Sequence, residues 1–223
     1  PGLLFAGAAI GVSHLVQPTR AGADFGYGLI WALLLVNIVK YPFFQFGPRY
    51  AIATGESLLE GYKRLGKGVL AAYYILNLGT MFTIQAAVTA VTAGIAARLL
   101  GIDASMWVSV IIALFCFAVL WRGRYGWLDK SMKIIVLVLS ISTLVAVLFA
   151  LGQNTDVPIL QRLPENTLEW TFLIAFMGWM PGPMDISVWH SVWAIEKKKI
   201  NPSASLASSL FDFNIGYLVT LIL

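Results

Sequence analysis

The stretch FMGWMPGPMDISVWH, residues 176–190, decides how this chain folds. Apolar residues surround Pro181, Gly182 and Pro183, and the carboxylate of Asp185 follows directly. Proline lacks a backbone N–H and glycine relaxes the chain, so the stretch predicts a membrane helix that is interrupted in its middle. Backbone groups freed at membrane depth are costly unless they find partners. The break therefore indicates a cavity, and the charged residue beside it is a candidate site residue.

The composition indicates a polytopic membrane protein made of helices. Hydrophobic residues form 59% of the 223 positions and charged residues 12%, and the mean hydropathy is +0.80. Soluble domains are roughly 45–50% apolar and 25% charged. The net charge of +4 comes from basic residues between apolar segments, which is typical of membrane topology and not of a nucleic-acid partner. The expected partner is the lipid bilayer.

Seven apolar segments come near the ~20 residues that cross a bilayer, and some are longer. They are segments one to seven, at residues 2–22, 27–53, 69–100, 106–121, 134–151, 168–195 and from 205 onward. Segment one is interrupted as well, because Gly11, Ser13, His14 and Pro18 lie in its second half. Segments one and six are therefore both predicted to be discontinuous.

Basic residues are concentrated in the loops that follow segments two, four and six, and few follow segments one, three and five. The first set is Lys63, Arg64, Lys67, Arg122, Arg124, Lys130, Lys133, Lys197, Lys198 and Lys199, and the second is Arg20, Arg98 and Arg162. Because loops rich in lysine and arginine stay in the cytoplasm, the N-terminus is predicted to be cytoplasmic.

The two interrupted segments are five apart, which predicts two inverted five-helix repeats with the site at their interface. Residues 1–151 then form the first repeat, 152–167 an extracellular loop, and 168–223 the start of the second repeat. The chain begins at Pro1 without an initiator methionine and ends inside an apolar run. We expect it to be a fragment truncated at both ends.

Several motifs resemble a known transporter family. They are PGLLFAG at 1–7, AGADFGYGLIWALLLVN at 21–37, RYAIATGESLLEG at 49–61, RGRYGWLDK at 122–130 and VWHS at 188–191. With these motifs the chain resembles the NRAMP (natural resistance-associated macrophage protein) family of proton-coupled divalent-metal transporters. The resemblance implies a LeuT-type inverted-repeat fold, metal–proton symport without a cofactor or enzymatic activity, and a bacterial inner membrane.

The metal-site motifs of this family are replaced here. The family's Asp-Pro-Gly-Asn in the first helix corresponds to GVSH at 11–14. Its Met-Pro-His in the sixth helix corresponds to PMD at 183–185 or, in a looser alignment, to MPG at 180–182. The acidic positions of the third helix are Gln85 and Val88. A metal site in this chain therefore needs non-standard ligands.

The candidate substrate site combines both interruptions. Imidazole and carboxylate are suitable ligands for transition metals, with thioether as a softer ligand, so His14 and Asp185 are the predicted metal ligands. The predicted substrate-binding residues are Gly11, Ser13, His14, Met180, Met184 and Asp185. The alternative is that His14 forms local hydrogen bonds and Asp185 pairs with a lysine in segment two.

That lysine, Lys40, is predicted to pair with Asp185 or Asp212, because a charge inside a membrane segment needs a partner. A proton path is predicted through His190, which aligns with a family histidine on helix six, together with Gln85 and Lys40. Asp212 and Asn214 form a second polar cluster in segment seven.

Two other functions remain open from the sequence. One is a LeuT-type carrier of an organic cation, an amine or an amino acid. The other is a membrane scaffold that transports nothing. An enzyme is not indicated, because the sequence holds no nucleotide-binding loop, catalytic triad or HExxH spacing.

Overall fold

The computed structural model describes residues 2–103, 105–122, 125–151 and 159–222. Within them the regular elements are eleven helices and no strand. The chain forms two compact units, Pro1–Leu58 with Asp129–Leu223, and Leu59–Leu128. The helices are α1 Gly2–Ala9, α2 Val12–Leu15, α3 Gln17–Phe25, α4 Ile30–Thr54, α5 Leu58–Leu65, α6 Lys67–Leu100, α7 Met106–Arg122, α8 Tyr125–Leu151, α9 Thr167–Trp179, α10 Ile186–Ile200 and α11 Leu206–Ile222.

Three helices of the described residues are long and apolar enough to cross a membrane. They are α4, α6 and the part of α8 at Lys130–Ala150. The apolar helices α7 and α11 are shorter, with 17 residues each. Large apolar side chains on these helices are exposed, for example Ile75 at 70% and Phe115 at 69%, as expected for surfaces that face lipid. The chain is therefore an all-helical membrane protein.

The interruption predicted in segment one is present. Helix α1 ends at Ala9 and α2 begins at Val12, and we call residues 10–11 between them break one. Helix α3 then continues the segment from Gln17, with a proline in its first turn, where the missing N–H is not needed.

The interruption predicted in segment six is present as well. Helix α9 ends at Trp179 and α10 begins at Ile186, and we call residues 180–185 break six. Met180 adopts an extended backbone, and its peptide bond to Pro181 is cis. The proline and glycine residues thus end the helix where the sequence predicts.

Helix ends differ from the prediction at two places. Helix α8 begins at Tyr125 and not near 134, since the lysine-rich loop contains good helix formers. Helix α10 continues to Ile200 and not 195, because the lysines of its last turn complement the helix dipole. Helix α4 is continuous, although Pro42 and Pro48 lie inside it.

The core of the first unit lies where α1, α4, α10 and α11 meet. Phe5, Phe44, Ile186 and Phe213 are buried there with Tyr217. The ring of Phe5 lies 5.4 Å from Phe44 and 5.5 Å from Phe213, both in edge-to-face geometry. This aromatic cluster holds the two interrupted segments against α4 and α11.

Two glycines allow these helices to approach closely. A Cβ atom at Gly47 of α4 would clash with the backbone oxygen of Ser187 in α10. A Cβ atom at Gly216 of α11 would clash with the backbone oxygen of Gly2 in α1. Small residues at helix contacts are the usual means of close packing in membranes.

The described part of the predicted extracellular loop is tied to the start of α4. Arg162 N–H donates to the Gly28 carbonyl at 3.1 Å, and the Trp31 indole donates to the Arg162 carbonyl at 3.1 Å. Helix α9 is then capped by Asn166, whose side chain accepts from the Glu169 N–H. Positions 152–158 of that loop lie outside the described residues.

In the second unit, α7 packs against α6. Helix α6 ends at Leu100 and is capped by Gly101, whose φ of 67° is left-handed and whose N–H donates to the Ala97 carbonyl. Gln85 lies on α6, and its side-chain amide donates to Thr89 Oγ1 at 3.1 Å.

Candidate substrate site at the helix breaks

Break six frees carbonyl oxygens at the end of α9. In a continuous helix the Met177 carbonyl would accept from residue 181, which is a proline and has no N–H. The side chain of Lys40 supplies the donors instead. Its Nζ lies 2.8 Å from the oxygen of Met177, 2.9 Å from that of Gly178 and 2.7 Å from that of Met180. Lys40 therefore caps the C-terminal end of α9 from α4.

The prediction that Lys40 pairs with Asp185 or Asp212 is wrong. Three hydrogen bonds require three N–H groups, which only the protonated ammonium has, and all three point to carbonyls. Within the described residues no ion pair joins Lys40 to either carboxylate. The negative end of the α9 dipole serves as the counter-charge.

Asp212 has other partners. Its Oδ2 accepts from the Gly2 N–H at 3.1 Å and lies 3.6 Å from Lys197 Nζ. Asn214 on the same helix accepts from the Tyr41 hydroxyl at 2.8 Å. The polar cluster predicted in segment seven thus fastens α11 to its neighbours.

His14 plays the corresponding part at break one. Its Nδ1 lies 2.9 Å from the carbonyl oxygen of Ala9, the last residue of α1, and its Nε2 lies 3.1 Å from that of Thr220 on α11. A neutral imidazole has a single N–H. If Nδ1–H donates to Ala9, the lone pair of Nε2 faces the Thr220 oxygen, and if Nε2–H donates to Thr220, the lone pair of Nδ1 faces the Ala9 oxygen.

A cavity of about 330 Å³ opens beside break one, and His14 is among its lining residues. The other polar lining groups are Thr19 from α3 and Ser142 and Thr143 from α8. These three residues were not predicted from the sequence. Two of them stand in the run SISTL, the polar interruption of an otherwise apolar segment five, and that signal could have found them.

The candidate residues of break six differ in exposure. Met180 is 1% exposed and packs in an apolar cluster with Phe176 and Leu173, so its sulfur is part of the core. Met184 is 57% exposed. Asp185 is half-buried at the start of α10.

The remaining predicted residues lie at break one. The oxygen of Gly11 accepts from the N–H groups of His14 and Leu15. Ser13 lies in α2, and its side chain is outside the described part of the structure. In the described residues no group of three or more histidine, cysteine, aspartate or glutamate side chains is placed to hold a metal ion.

A model of one protein family matches residues 2–223, almost the whole chain. Its description is "Natural resistance-associated macrophage protein-like". The chain belongs to the Nramp family. The resemblance drawn from the motifs in the sequence is thereby confirmed.

Two known proteins are similar to the chain in sequence. The chain is 36% identical over 229 residues to uncharacterized protein PM0681 of Pasteurella multocida, a match that covers 100% of this chain and 53% of that protein. It is 34% identical over 83 residues to the divalent metal cation transporter MntH of Verminephrobacter eiseniae, which covers 34% of this chain and 19% of MntH. The chain thus spans about half the length of the first relative. No solved structure matches it.

His190 in this Nramp chain is enclosed by aromatic rings. Its ring lies 5.7 Å from Phe5 and 5.5 Å from Phe213, and its exposed fraction is 0%. Neither ring nitrogen has a hydrogen-bond partner among the described residues. Its predicted role in a proton path, like that of Gln85, stays a prediction.

Proposed function

We propose that the protein is a secondary-active transporter that moves a divalent metal ion across the membrane by alternating access. The observation that carries this proposal is the Nramp match over residues 2–223, together with two interrupted helices at the positions expected for a site. The fold we propose is the LeuT type with about seven transmembrane helices, in which 1–151 is the first repeat and 168–223 begins the second.

In this proposal His14 donates to Ala9 through Nδ1–H and binds the metal ion at break one through Nε2. The carbonyl oxygen of Thr220 is 3.1 Å from that nitrogen. Two ligands at right angles, each about 2.1 Å from an octahedral ion, are about 3.0 Å apart, so the pair has suitable spacing. Asp185 and Met184 belong to break six and are not among the residues that line the cavity at break one. In this proposal they approach the ion from break six, where the carboxylate adds negative charge and the thioether is a softer ligand.

Proton symport runs through His190 and Gln85 in this proposal, whereas Lys40 serves as a capping cation. The lysines and arginines of the loops after segments two, four and six favour a cytoplasmic N-terminus. We propose a bacterial inner membrane because the two similar proteins are bacterial.

Uptake of Mn²⁺ into proteoliposomes tests this function. We expect uptake that an inward proton gradient stimulates, and at least a tenfold loss in Asp185→Asn. The matched control is Asp24→Asn, which removes an exposed carboxylate of α3 and should leave uptake unchanged. Absence of uptake for Mn²⁺, Fe²⁺, Zn²⁺ and Mg²⁺ would contradict metal transport.

An organic ammonium compound is the second candidate substrate. The observation in its favour is that backbone oxygens of break six already bind an ammonium group, that of Lys40. Saturable uptake of a radiolabelled amine or amino acid, with no response to metal ions, would favour this alternative.

A further inference from the structure

The carbonyl oxygens at the end of α9 form a compact oxygen site. The three oxygens of Met177, Gly178 and Met180 lie within 2.9 Å of one nitrogen atom, Lys40 Nζ. Such convergence on a single point is the arrangement by which backbone carbonyls coordinate a monovalent cation. We propose that these oxygens form a monovalent-cation site, which Lys40 fills permanently with its own ammonium group.

The break in the helix creates this site. Pro181 cannot donate to the Met177 carbonyl, and the extended backbone of Met180 ends the helical ladder. The freed oxygens also stand at the negative end of the α9 dipole, which attracts a cation. The site therefore exists through the backbone alone and does not depend on a particular side chain of α9.

Because the oxygens are neutral, they determine which charge a bound cation can carry. Divalent ions are held by carboxylates, which neutralise their charge. Here the three contacts of Lys40 are neutral carbonyls, and within the described residues no ion pair joins Lys40 to a carboxylate. A single positive charge fits, and ammonium, K⁺ and Na⁺ are the free ions of that class.

Lys40 is also well placed to be a fixed occupant. It extends from α4, 137 positions before Met177, and is half-buried between the two helices. Its nitrogen uses all three N–H groups on the site, so no free ion can enter while Lys40 is present. The native protein should consequently be independent of Na⁺ and K⁺.

Removal of the lysine side chain tests the site. Purified full-chain Lys40→Ala is heated in choline chloride, KCl, NaCl and methylammonium chloride of equal ionic strength, and the unfolding midpoint is recorded. We expect a midpoint about 5–10 °C below that of the native protein in choline chloride. At least half of that loss should be recovered, with saturation, in one or more of the three small cations.

Lys198→Ala is the matched control. Lys198 Nζ donates at 3.0 Å to one carbonyl, that of Ile52, so its removal opens no site with several oxygens. We expect no difference between the four salts for this variant or for the native protein. Equal behaviour of Lys40→Ala in all four salts would overturn the proposal.

Lys40→Met covers the case in which the alanine variant does not fold. It keeps the apolar stem and removes the charge, and it is purified with KCl or methylammonium present throughout. We expect folded protein that unfolds when the salt is exchanged for choline chloride. If neither variant gives folded protein in any of the salts, a free ion does not replace the ammonium group and the proposal is wrong.

Discussion

Break one and break six both leave carbonyl groups without helix donors, and a different side chain approaches these groups at each break. At each break a helix ends inside an apolar segment, and its last carbonyls need donors. At break one the donor is His14, only five positions after Ala9. At break six it is Lys40, which comes from another helix and reaches three oxygens.

The difference separates a site that can exchange its ligand from one that cannot. An imidazole that donates through Nδ1 keeps a lone pair on Nε2, so break one can accept a metal ion or a proton. The ammonium of Lys40 has no lone pair and saturates the oxygens that it contacts. We therefore expect the carbonyl oxygens that Lys40 contacts to hold the structure together, and His14 to respond to substrate.

The largest expected effect is on stability at break six. Lys40→Ala removes three charge-assisted hydrogen bonds from a half-buried site, and we expect a loss of about 2–4 kcal/mol. His14→Ala removes one neutral hydrogen bond and should cost about 1–2 kcal/mol. Denaturant titration of both variants in detergent measures the difference, and a larger loss in His14→Ala would reverse the assignment of the two breaks.

A smaller loss of stability is expected from a substitution where α4 packs against α10, the helix that follows break six. A Cβ atom at Gly47 meets the backbone of Ser187, which cannot move aside as a side chain can, so Gly47→Ala should destabilise the protein by about 1–3 kcal/mol. The control is Gly79→Ala in α6, whose Cβ meets nothing within 4 Å in the described residues. It should be neutral or slightly stabilising. Equal midpoints in thermal unfolding would show that α4 and α10 do not pack this closely.

The smallest effect on stability concerns the cavity beside break one. Ser142 donates to the Leu139 carbonyl at 2.9 Å within its own helix, so Ser142→Ala should change stability by less than about 0.5 kcal/mol. Its hydroxyl lines the cavity with His14, and we expect a several-fold rise in the KM for metal uptake. Val138→Ala, an exposed position of the same helix, is the control and should leave the KM unchanged.

Much of the architecture could be predicted from the sequence, because it depends on local chemistry. Pro181, Gly182 and Pro183 together interrupt a helix regardless of the tertiary contacts around them. Apolar composition and the motif RYAIATG indicated a membrane helix bundle and the family, and the family match confirmed the latter. Gly11 likewise marked break one correctly.

The contacts of the site could not be predicted, because they join distant parts of the chain. Lys40 was expected beside a carboxylate, since charge pairing is the usual rule, but its ammonium group contacts three carbonyl oxygens at the end of α9 instead. The pairing of His14 with Thr220 joins residues 206 positions apart. Ser142 was missed because a serine within a helix most often bonds its own backbone, as this one also does.

One titration tests the contrast between the breaks directly. Mn²⁺ is titrated calorimetrically into the purified native protein, His14→Ala and Lys40→Met, all in the same buffer with KCl present. Our account predicts binding to the native protein, loss of binding in His14→Ala, and retained binding of the same stoichiometry in Lys40→Met. Binding that survives in His14→Ala and disappears in Lys40→Met, or no binding to the native protein, would contradict it.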